Sequence, residues 1–306
     1  MKRNSLLIIF ALIFLFGCKS KPEGAVAQVG DEIITIEEFK DELKNYENIY
    51  NASYPEELEK LSKEEQKDQN YILRSGVLSK LVNRKIIEIE SMKIGDIDTA
   101  KYKERRDEVV KELGDEEGFK EFLIKNNIDE AFFDRAVRED VMERQLKEEF
   151  KKSVKIEEAD LKALYDKDPD RFNRYDVKLI LVESEEEAYD IIRSDEDFSR
   201  LAIFNSKDII SAANGGFIKD YTLGMHDKLV DDAIKSAKKG DIIGPIKTDA
   251  GYYIIDLIEK YEQFDQNKDI VESEYIDEAF NGKLKQIREE AEIRVFIDLE
   301  KDLEDN

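Results

Sequence analysis

The sequence has very few of the side chains that form disulfides, bind metals or act as nucleophiles. Its 306 residues include one cysteine, Cys18, and one histidine, His226. A single cysteine excludes an intramolecular disulfide, so the folded state must be stabilised by its core. The 16 phenylalanines and 13 tyrosines supply the apolar side chains that such a core needs. With one histidine and one cysteine in the whole chain, we expect neither a cofactor nor a metal site.

Basic residues are scarce relative to acidic ones. The chain has 49 lysines and arginines against 73 aspartates and glutamates, a formal net charge of −24. This excess argues against nucleic-acid binding, which requires a basic surface. Most of these charges are interpreted as a solvated surface that keeps the protein soluble and repels it from anionic lipid headgroups.

The N-terminus lacks an apolar run long enough to span a bilayer, which takes about 20 residues. Its uncharged run covers only residues 6–16, after Lys2 and Arg3 and before Gly17-Cys18. This arrangement resembles a bacterial lipoprotein signal, in which diacylglycerol alkylates the cysteine thiol and cleavage frees the amine for acylation. We predict cleavage before Cys18 and lipid attachment to it. The alternative is an ordinary signal peptide with an incidental cysteine.

The residues after this signal predict a mainly helical domain. Residues 25–36 have the pattern of two short strands joined by a turn at Gly30-Asp31. Thr35 and Glu38 have the spacing of a capping box, which predicts a helix beginning directly after Thr35. Apolar periodicity and breaker residues predict further helices over 78–94, 98–113, 118–126, 129–153 and 156–169.

The following part of the chain mixes strands and helices. Residues 177–182 are almost continuously apolar, which is typical of a strand in the centre of a sheet. After them, residues 266–303 predict one long C-terminal helix. Between residues 182 and 266, the sequence predicts strands over 216–221, 244–248 and 252–258, and helices over 185–193, 198–205 and 228–237.

Three glycine-containing blocks stand out in this mixed region. Residues 206–217 read SKDIISAANGGF, residues 240–246 read GDIIGPI, and residues 251–255 read GYYII. In this order and spacing they resemble the parvulin (PpiC) type of peptidyl-prolyl isomerase. The hairpin and helices before them resemble the N-terminal domain of PrsA/SurA-type foldases.

The resemblance implies an α+β fold with two domains. A parvulin-like domain over residues 175–260 would contain a four-stranded, mostly antiparallel sheet surrounded by helices. A helical chaperone domain would cover residues 25–172 together with 264–306, because in these foldases the C-terminal helix packs back on the N-terminal domain. The signal peptide over residues 1–17 and a tether over 18–24 would precede them.

The resemblance also implies the position of a catalytic site. The family has histidines where this chain has Leu179 and Tyr253, and an acidic residue at the position of Asp208. The two family histidines support each other through hydrogen bonds, whereas Leu179 cannot form any and Tyr253 offers one hydroxyl. Alternatively, Tyr253 is a strand-packing aromatic, and Asp208 is a turn or cap residue before Ser211.

A proline pocket is implied beside this site. The family forms it from a methionine and a phenylalanine four residues apart, after a glycine. Counted from Gly224, these positions are His226 and Val230, and a shift of one residue would place Met225 in the first of them. Phe217 occupies the place of a family aspartate. We predict that these four side chains line the substrate site, with the alternative that His226 is a loop residue without a chemical role.

The expected function is that of a membrane-anchored extracytoplasmic foldase in a bacterial cell envelope. Its partners would be unfolded or nascent exported polypeptides and, through Cys18, a membrane. Isomerase activity is expected to be weak or lost, because both family histidines are replaced. The alternatives are a fully active peptidyl-prolyl isomerase and a non-catalytic scaffold lipoprotein that serves one fixed envelope partner.

Overall fold

The computed structural model describes residues 21–54 and 61–301, and these divide into two compact units. Unit 1 contains the residues up to Ser153 and those from Phe280 onward, whereas unit 2 runs from Val154 to Ala279. The predicted signal peptide and Cys18 lie outside the described residues. Within the described ranges, no helix combines the length and hydropathy that crossing a membrane requires.

Unit 1 opens with the predicted hairpin of β1 (Ala25–Val29) and β2 (Glu32–Thr35). The predicted capping box is present at its end. The hydroxyl of Thr35 accepts from the backbone N–H of Glu38 at 3.1 Å, and the Glu38 carboxylate accepts from the N–H of Thr35 at 2.7 Å. Because the first turn is satisfied in this way, α1 (Ile36–Ser53) begins directly after Thr35.

The rest of the N-terminal part of unit 1 is helical, as predicted. Its core contains Phe39 and Leu43 from α1 together with the inner face of the next helix, including Leu78 and Val82. The helices that follow α1 are α2 (Lys63–Met92), α3 (Thr99–Glu112), α4 (Glu116–Asn126) and α5 (Glu130–Ser153).

Unit 2 begins with α6 (Glu158–Lys167) and contains the predicted four-stranded sheet. Its strands are β3 (Arg174–Val182), β4 (Phe217–Tyr221), β5 (Ile242–Thr248) and β6 (Gly251–Tyr261), in the order β4-β3-β6-β5. All neighbouring pairs are antiparallel. The apolar strand β3 is central, as its sequence predicts.

Helices cover both faces of this sheet. Val230 packs on one face with the odd-numbered residues of β3, whereas Ala188, Ile191 and Ala202 pack on the other. The helices of unit 2 after β3 are α7 (Glu185–Arg193), α8 (Phe198–Asn205), α9 (Ile209–Ala212) and α10 (Lys228–Ser236), followed by α11 (Phe264–Glu290), which continues into unit 1. α7 and α8 have the predicted bounds, and α9 was not predicted. The domain over 175–260 stays a prediction, since unit 2 also contains α6 and the first part of α11.

The C-terminal segment packs on the N-terminal domain, as expected, but it is not one helix to residue 303. The helix α11 ends at Glu290, and β7 (Ile293–Val295) pairs antiparallel with β1, so the sheet of unit 1 has the order β2-β1-β7. Arg294 lies between two apolar residues, which is the period-two alternation of a strand. The long-helix prediction is wrong at this point because the exposed edge of β1 accepts a third strand.

A buried ion pair joins the helices of unit 1. Glu42 of α1 is 1% exposed, and its two carboxylate oxygens accept from the Nη1 and Nη2 of Arg84 at 3.0 and 2.6 Å. The Nε of Arg84 donates to Glu139 of α5 at 3.1 Å. All three guanidinium nitrogens of Arg84 therefore donate to a carboxylate, and a buried charge requires such hydrogen bonds.

We expect Arg84→Ala to destabilise unit 1 by about 3–5 kcal/mol, because the buried Glu42 loses both hydrogen bonds from Arg84 and keeps Arg135, 3.6 Å away, as its remaining counter-charge. The measurement is urea unfolding followed by far-ultraviolet circular dichroism. Lys103→Ala is the matched control, since Lys103 forms only an exposed pair with Asp107, and it should not shift the midpoint. Equal midpoints for the two variants would contradict the role assigned to Arg84.

Candidate active site

The candidate site lies on one face of the unit 2 sheet, where β3 pairs with β6. In the antiparallel register Leu179 lies opposite Ile255, and Leu181 lies opposite Tyr253. Because paired residues share a face and successive residues alternate, Leu179 and Tyr253 project to the same side. They belong to one apolar cluster with Val230 of α10. The sheet thus brings together two of the predicted catalytic positions.

Leu179 and Val230 lie beneath the site surface. Both residues are 0% exposed, in the cluster that also buries Tyr221. Leu179 therefore contributes an apolar floor where the family has a histidine. Val230, which we predicted to line the substrate site, is part of the core under it, because α10 turns this residue towards the sheet.

Two of the three other predicted pocket residues, Phe217 and Met225, are more accessible than Val230. Phe217 pairs with Lys178 at the start of β4, so its side chain projects to the opposite face from Leu179. Strand alternation thus directs Phe217 away from the face on which we predicted it. Met225 is 54% exposed in the loop before α10, and its sulfur accepts from the N–H of Thr222 at 3.3 Å.

Asp208 is held in place by its own turn. Its backbone N–H donates to Oγ of Ser206 at 3.2 Å, and its carboxylate accepts from the N–H of Ser211 at 3.3 Å as the N-cap of α9. The cap alternative for Asp208 is thus confirmed. The second oxygen, Oδ2, lies 3.7 Å from Nε2 of His226. The same carboxylate therefore caps a helix and faces the site.

The loop that carries His226 is fixed by a pair of residues that sequence reasoning missed. The hydroxyl of the buried Tyr221 donates to Oδ1 of Asp231 at 2.5 Å. The other oxygen of Asp231 accepts from the N–H of Gly224 at 2.8 Å. This bond ties the loop to α10. Tyr221 ends a predicted strand and Asp231 lies in a predicted helix, but no local pattern links the two.

His226 is packed between two tyrosines. Its ring stacks on Tyr221 with centroids 5.5 Å apart and an interplanar angle of 23°, and it meets Tyr253 edge-on at 5.7 Å and 84°. Nε2 faces Asp208, whereas Nδ1 is buried and has no hydrogen-bond partner among the described residues. The only histidine of the chain therefore lies at the centre of the site.

The hydroxyl of Tyr253 stays protonated at neutral pH. Burial raises the pKa of Tyr253 above its usual value, and the nearby carboxylates of Asp208 and Asp227 raise it further, because each disfavours a second negative charge. A neutral hydroxyl both donates and accepts a hydrogen bond. Tyr253 packs in the apolar cluster and against His226, and its role as a hydrogen-bonding substitute for a family histidine stays a prediction.

The site therefore contains a carboxylate, an imidazole and a phenol over an apolar floor. These groups offer hydrogen-bond donors and acceptors to a peptide, which is the kind of stabilisation that a distorted carbonyl requires. Over residues 21–54 and 61–301, no three histidine, cysteine or acidic side chains are placed to hold a metal ion.

Comparison with protein families matches both parts of the chain. Residues 182–259 match the PPIC-type PPIase (Rotamase) domain, and residues 2–147 match the SurA-like N-terminal domain. The first match contains α10 and most of β6, and its range includes Asp208, His226 and Tyr253 but not Leu179.

Several curated proteins align with nearly the whole chain. The foldase protein PrsA of Caldanaerobacter subterraneus subsp. tengcongensis is 29% identical, over 93% of this chain and 92% of its own length. That of Clostridium tetani is 26% identical, over 94% and 93%. The crystal structure of PrsA from Streptococcus pneumoniae shares the fold at 17% identity, with a TM-score of 0.50 and coverage of 89% and 95%. The chain thus joins a SurA-like N-terminal domain to a PPIC-type PPIase domain and belongs with the PrsA foldases.

Proposed function

We propose that this foldase is lipid-anchored outside the cytoplasm, binds unfolded exported polypeptides, and has weak isomerase activity. The observation that carries this proposal is the composition of the site. Asp208, His226 and Tyr253 surround a polar centre, whereas the buried Leu179 lies directly beneath it. Such a site can hold a peptide while lacking a polar group in its floor.

The weak activity follows from what proline isomerisation needs. Rotation about the peptide bond has a barrier of about 18–20 kcal/mol, and a catalyst lowers it by stabilising the twisted amide. Leu179 adds no hydrogen bond for this purpose. Counted from Gly224, the ring of His226 takes the place of the family's apolar methionine, unless a shift of one residue gives that place to Met225. Asp208 and Tyr253 supply polar contacts, so peptide binding is retained better than catalysis.

A fully active isomerase is the second candidate, and one observation favours it. His226 and Asp208 lie 3.7 Å apart, and both are held by neighbouring residues. Such a pair could take over the polar role of the family histidines. Rate measurements separate the two proposals, because holding an unfolded chain requires no rate enhancement.

Membrane attachment is supported by the sequence at residues 1–18. Its basic start, its short apolar run and Gly17-Cys18 match the order of a lipoprotein signal. Two or more acyl chains on one residue anchor a protein stably, whereas one chain binds only marginally.

We expect Cys18→Ser to abolish membrane attachment, because acylation requires the thiol and the amine that cleavage frees. The measurement is flotation of the expressed chain with membranes, together with the size of the processed product. Ser20→Ala is the control and should remain attached. Membrane attachment of Cys18→Ser equal to that of the wild type would remove the lipid anchor from the proposal.

The function is tested in two assays with the soluble form of the chain that starts at Lys19. We expect it to suppress aggregation of denatured citrate synthase. We also expect its rate of Xaa-Pro peptide isomerisation to be about tenfold or more below that of a reference PPIC-type domain. His226→Met should raise the isomerisation rate, because methionine gives the proline ring a flexible apolar wall. A wild-type rate equal to the reference would favour the active isomerase, and failure to suppress aggregation would favour the scaffold.

We expect Leu179→His to destabilise unit 2 by about 1–3 kcal/mol without raising activity, because the imidazole would be buried opposite Ile255 with no partner in the register. Ile242→His is the control, since Ile242 is 55% exposed on β5, and its stability should be unchanged. The measurements are thermal unfolding and the same isomerisation assay. A faster Leu179→His variant would show that the missing histidine alone limits the rate.

A further inference from the structure

Helices α8 and α9 expose a group of large apolar side chains. Ile203 and Phe204 are 54% and 75% exposed, and Ile209 and Ile210 are 78% and 86% exposed. We call these four side chains the α8–α9 patch. Single exposed apolar residues are ordinary on protein surfaces, whereas a cluster of them on neighbouring helices is characteristic of a binding surface.

The core does not require these four residues. The inward positions of the two helices are filled by other side chains. Ala202 and Ala212 are 0% and 7% exposed, and Phe198 and Leu201 of α8 pack against the core of the sheet. A helix that only covers a core places its large apolar residues inward. The four large residues of the α8–α9 patch instead face outward, so the patch needs an explanation outside the core.

The backbone between the two helices is fixed to the sheet. The N–H of Lys207 donates to the carbonyl of Leu181 at 2.7 Å, and the N–H of Leu181 donates to Oγ of Ser206 at 3.1 Å. The α8–α9 patch is therefore held on a rigid support. Binding to a preorganised surface costs less conformational entropy than binding to a loop.

The α8–α9 patch adjoins the candidate active site along the chain, at Asp208. Asp208 lies 3.7 Å from His226 and immediately precedes Ile209 in the chain. One residue of extended polypeptide spans about 3.3–3.6 Å. A peptide held at Asp208 therefore reaches Ile209 within one or two residues of its contact with the site.

The size and charge of the α8–α9 patch favour a short, extended apolar segment. A standard interface with a folded partner uses roughly 20–30 residues a side, far more than four. Binding to an anionic membrane surface requires clustered basic residues. Here Arg200 lies over the ring of Phe204 at 5.9 Å, and Lys207 pairs with Glu183 at 2.9 Å, so the charges are mixed.

We propose that the α8–α9 patch is a subsite for an apolar segment of the client polypeptide, beside the proline held at Asp208 and His226. The inference rests on the proposed function and specifies its substrate. Unit 2 then prefers prolines close to large apolar residues. Such segments are buried in a folded protein and exposed in an unfolded one, so the subsite distinguishes unfolded clients from folded ones.

The test measures binding of two fluorescein-labelled unstructured peptides to the soluble form that starts at Lys19. Both contain one central proline, flanked by leucine and phenylalanine in the first and by serine in the second. We expect the double variant Phe204→Ser/Ile210→Ser to raise the Kd of the apolar peptide roughly tenfold, because it loses apolar contact area. The Kd of the serine peptide should stay unchanged. Ile209→Ser alone should have a smaller effect in the same direction.

Ile124→Ser and Ile242→Ser are the controls, since both residues are exposed and lie outside the α8–α9 patch. Circular dichroism verifies that every variant is folded. Equal apolar-peptide Kd values in the wild type and the double variant would overturn this inference alone, whereas a wild type that binds neither peptide would overturn the proposed function. Two further results would also overturn the inference. A dimer that light scattering detects in the wild type and not in the double variant would assign the patch to a second copy of the chain. Binding to phosphatidylglycerol vesicles that the double variant alone loses would assign the patch to a membrane.

Discussion

The antiparallel pairing of β3 with β6 is the constraint on which the site depends. Every residue from Arg174 to Val182 has a partner on β6, with one shift of register between Asp176 and Val177. The other parts of the site attach to this ladder by backbone bonds. The N–H of Leu179 donates to the carbonyl of Gly216 at 2.9 Å, just before β4. Gly216 has φ +78°, and a Cβ there would meet the carbonyl oxygen of Leu179 at 2.6 Å, so this close approach requires glycine.

This geometry explains why the polar groups come from loops. The strands place Leu179 and Tyr253 on a face that α10 covers, and a residue buried there must be apolar or have a partner. Leu179 meets this requirement because its side chain is apolar. The carboxylate of Asp208 and the imidazole of His226 come instead from a helix cap and a loop, where their side chains are 20% and 16% exposed. The candidate site thus combines an apolar sheet face with polar groups from loops.

Electrostatics have different roles in the two units. In unit 1, Glu42 and Arg84 are buried and bidentate, so the pair fixes how α1 meets α2. In unit 2, burial raises the pKa of the Tyr253 hydroxyl, and the nearby carboxylates of Asp208 and Asp227 raise it further. The remaining negative charge of the chain is spread over its surface, which suits a protein whose proposed partners are unfolded, aggregation-prone chains.

The sequence by itself determined the elements whose signals are local. The capping box at Thr35, the bounds of α7 and α8, the central position of β3 and the two-domain α+β class all follow from periodicity, caps and the family blocks. Tertiary structure decided what depends on distant partners. Residues 293–295 became a strand because the edge of β1 was open, and pairing with Lys178 turned Phe217 to the far face. His226 reached the centre of the site because Tyr221 and Asp231 hold its loop, and no local pattern specifies a bond between residues that only folding brings together.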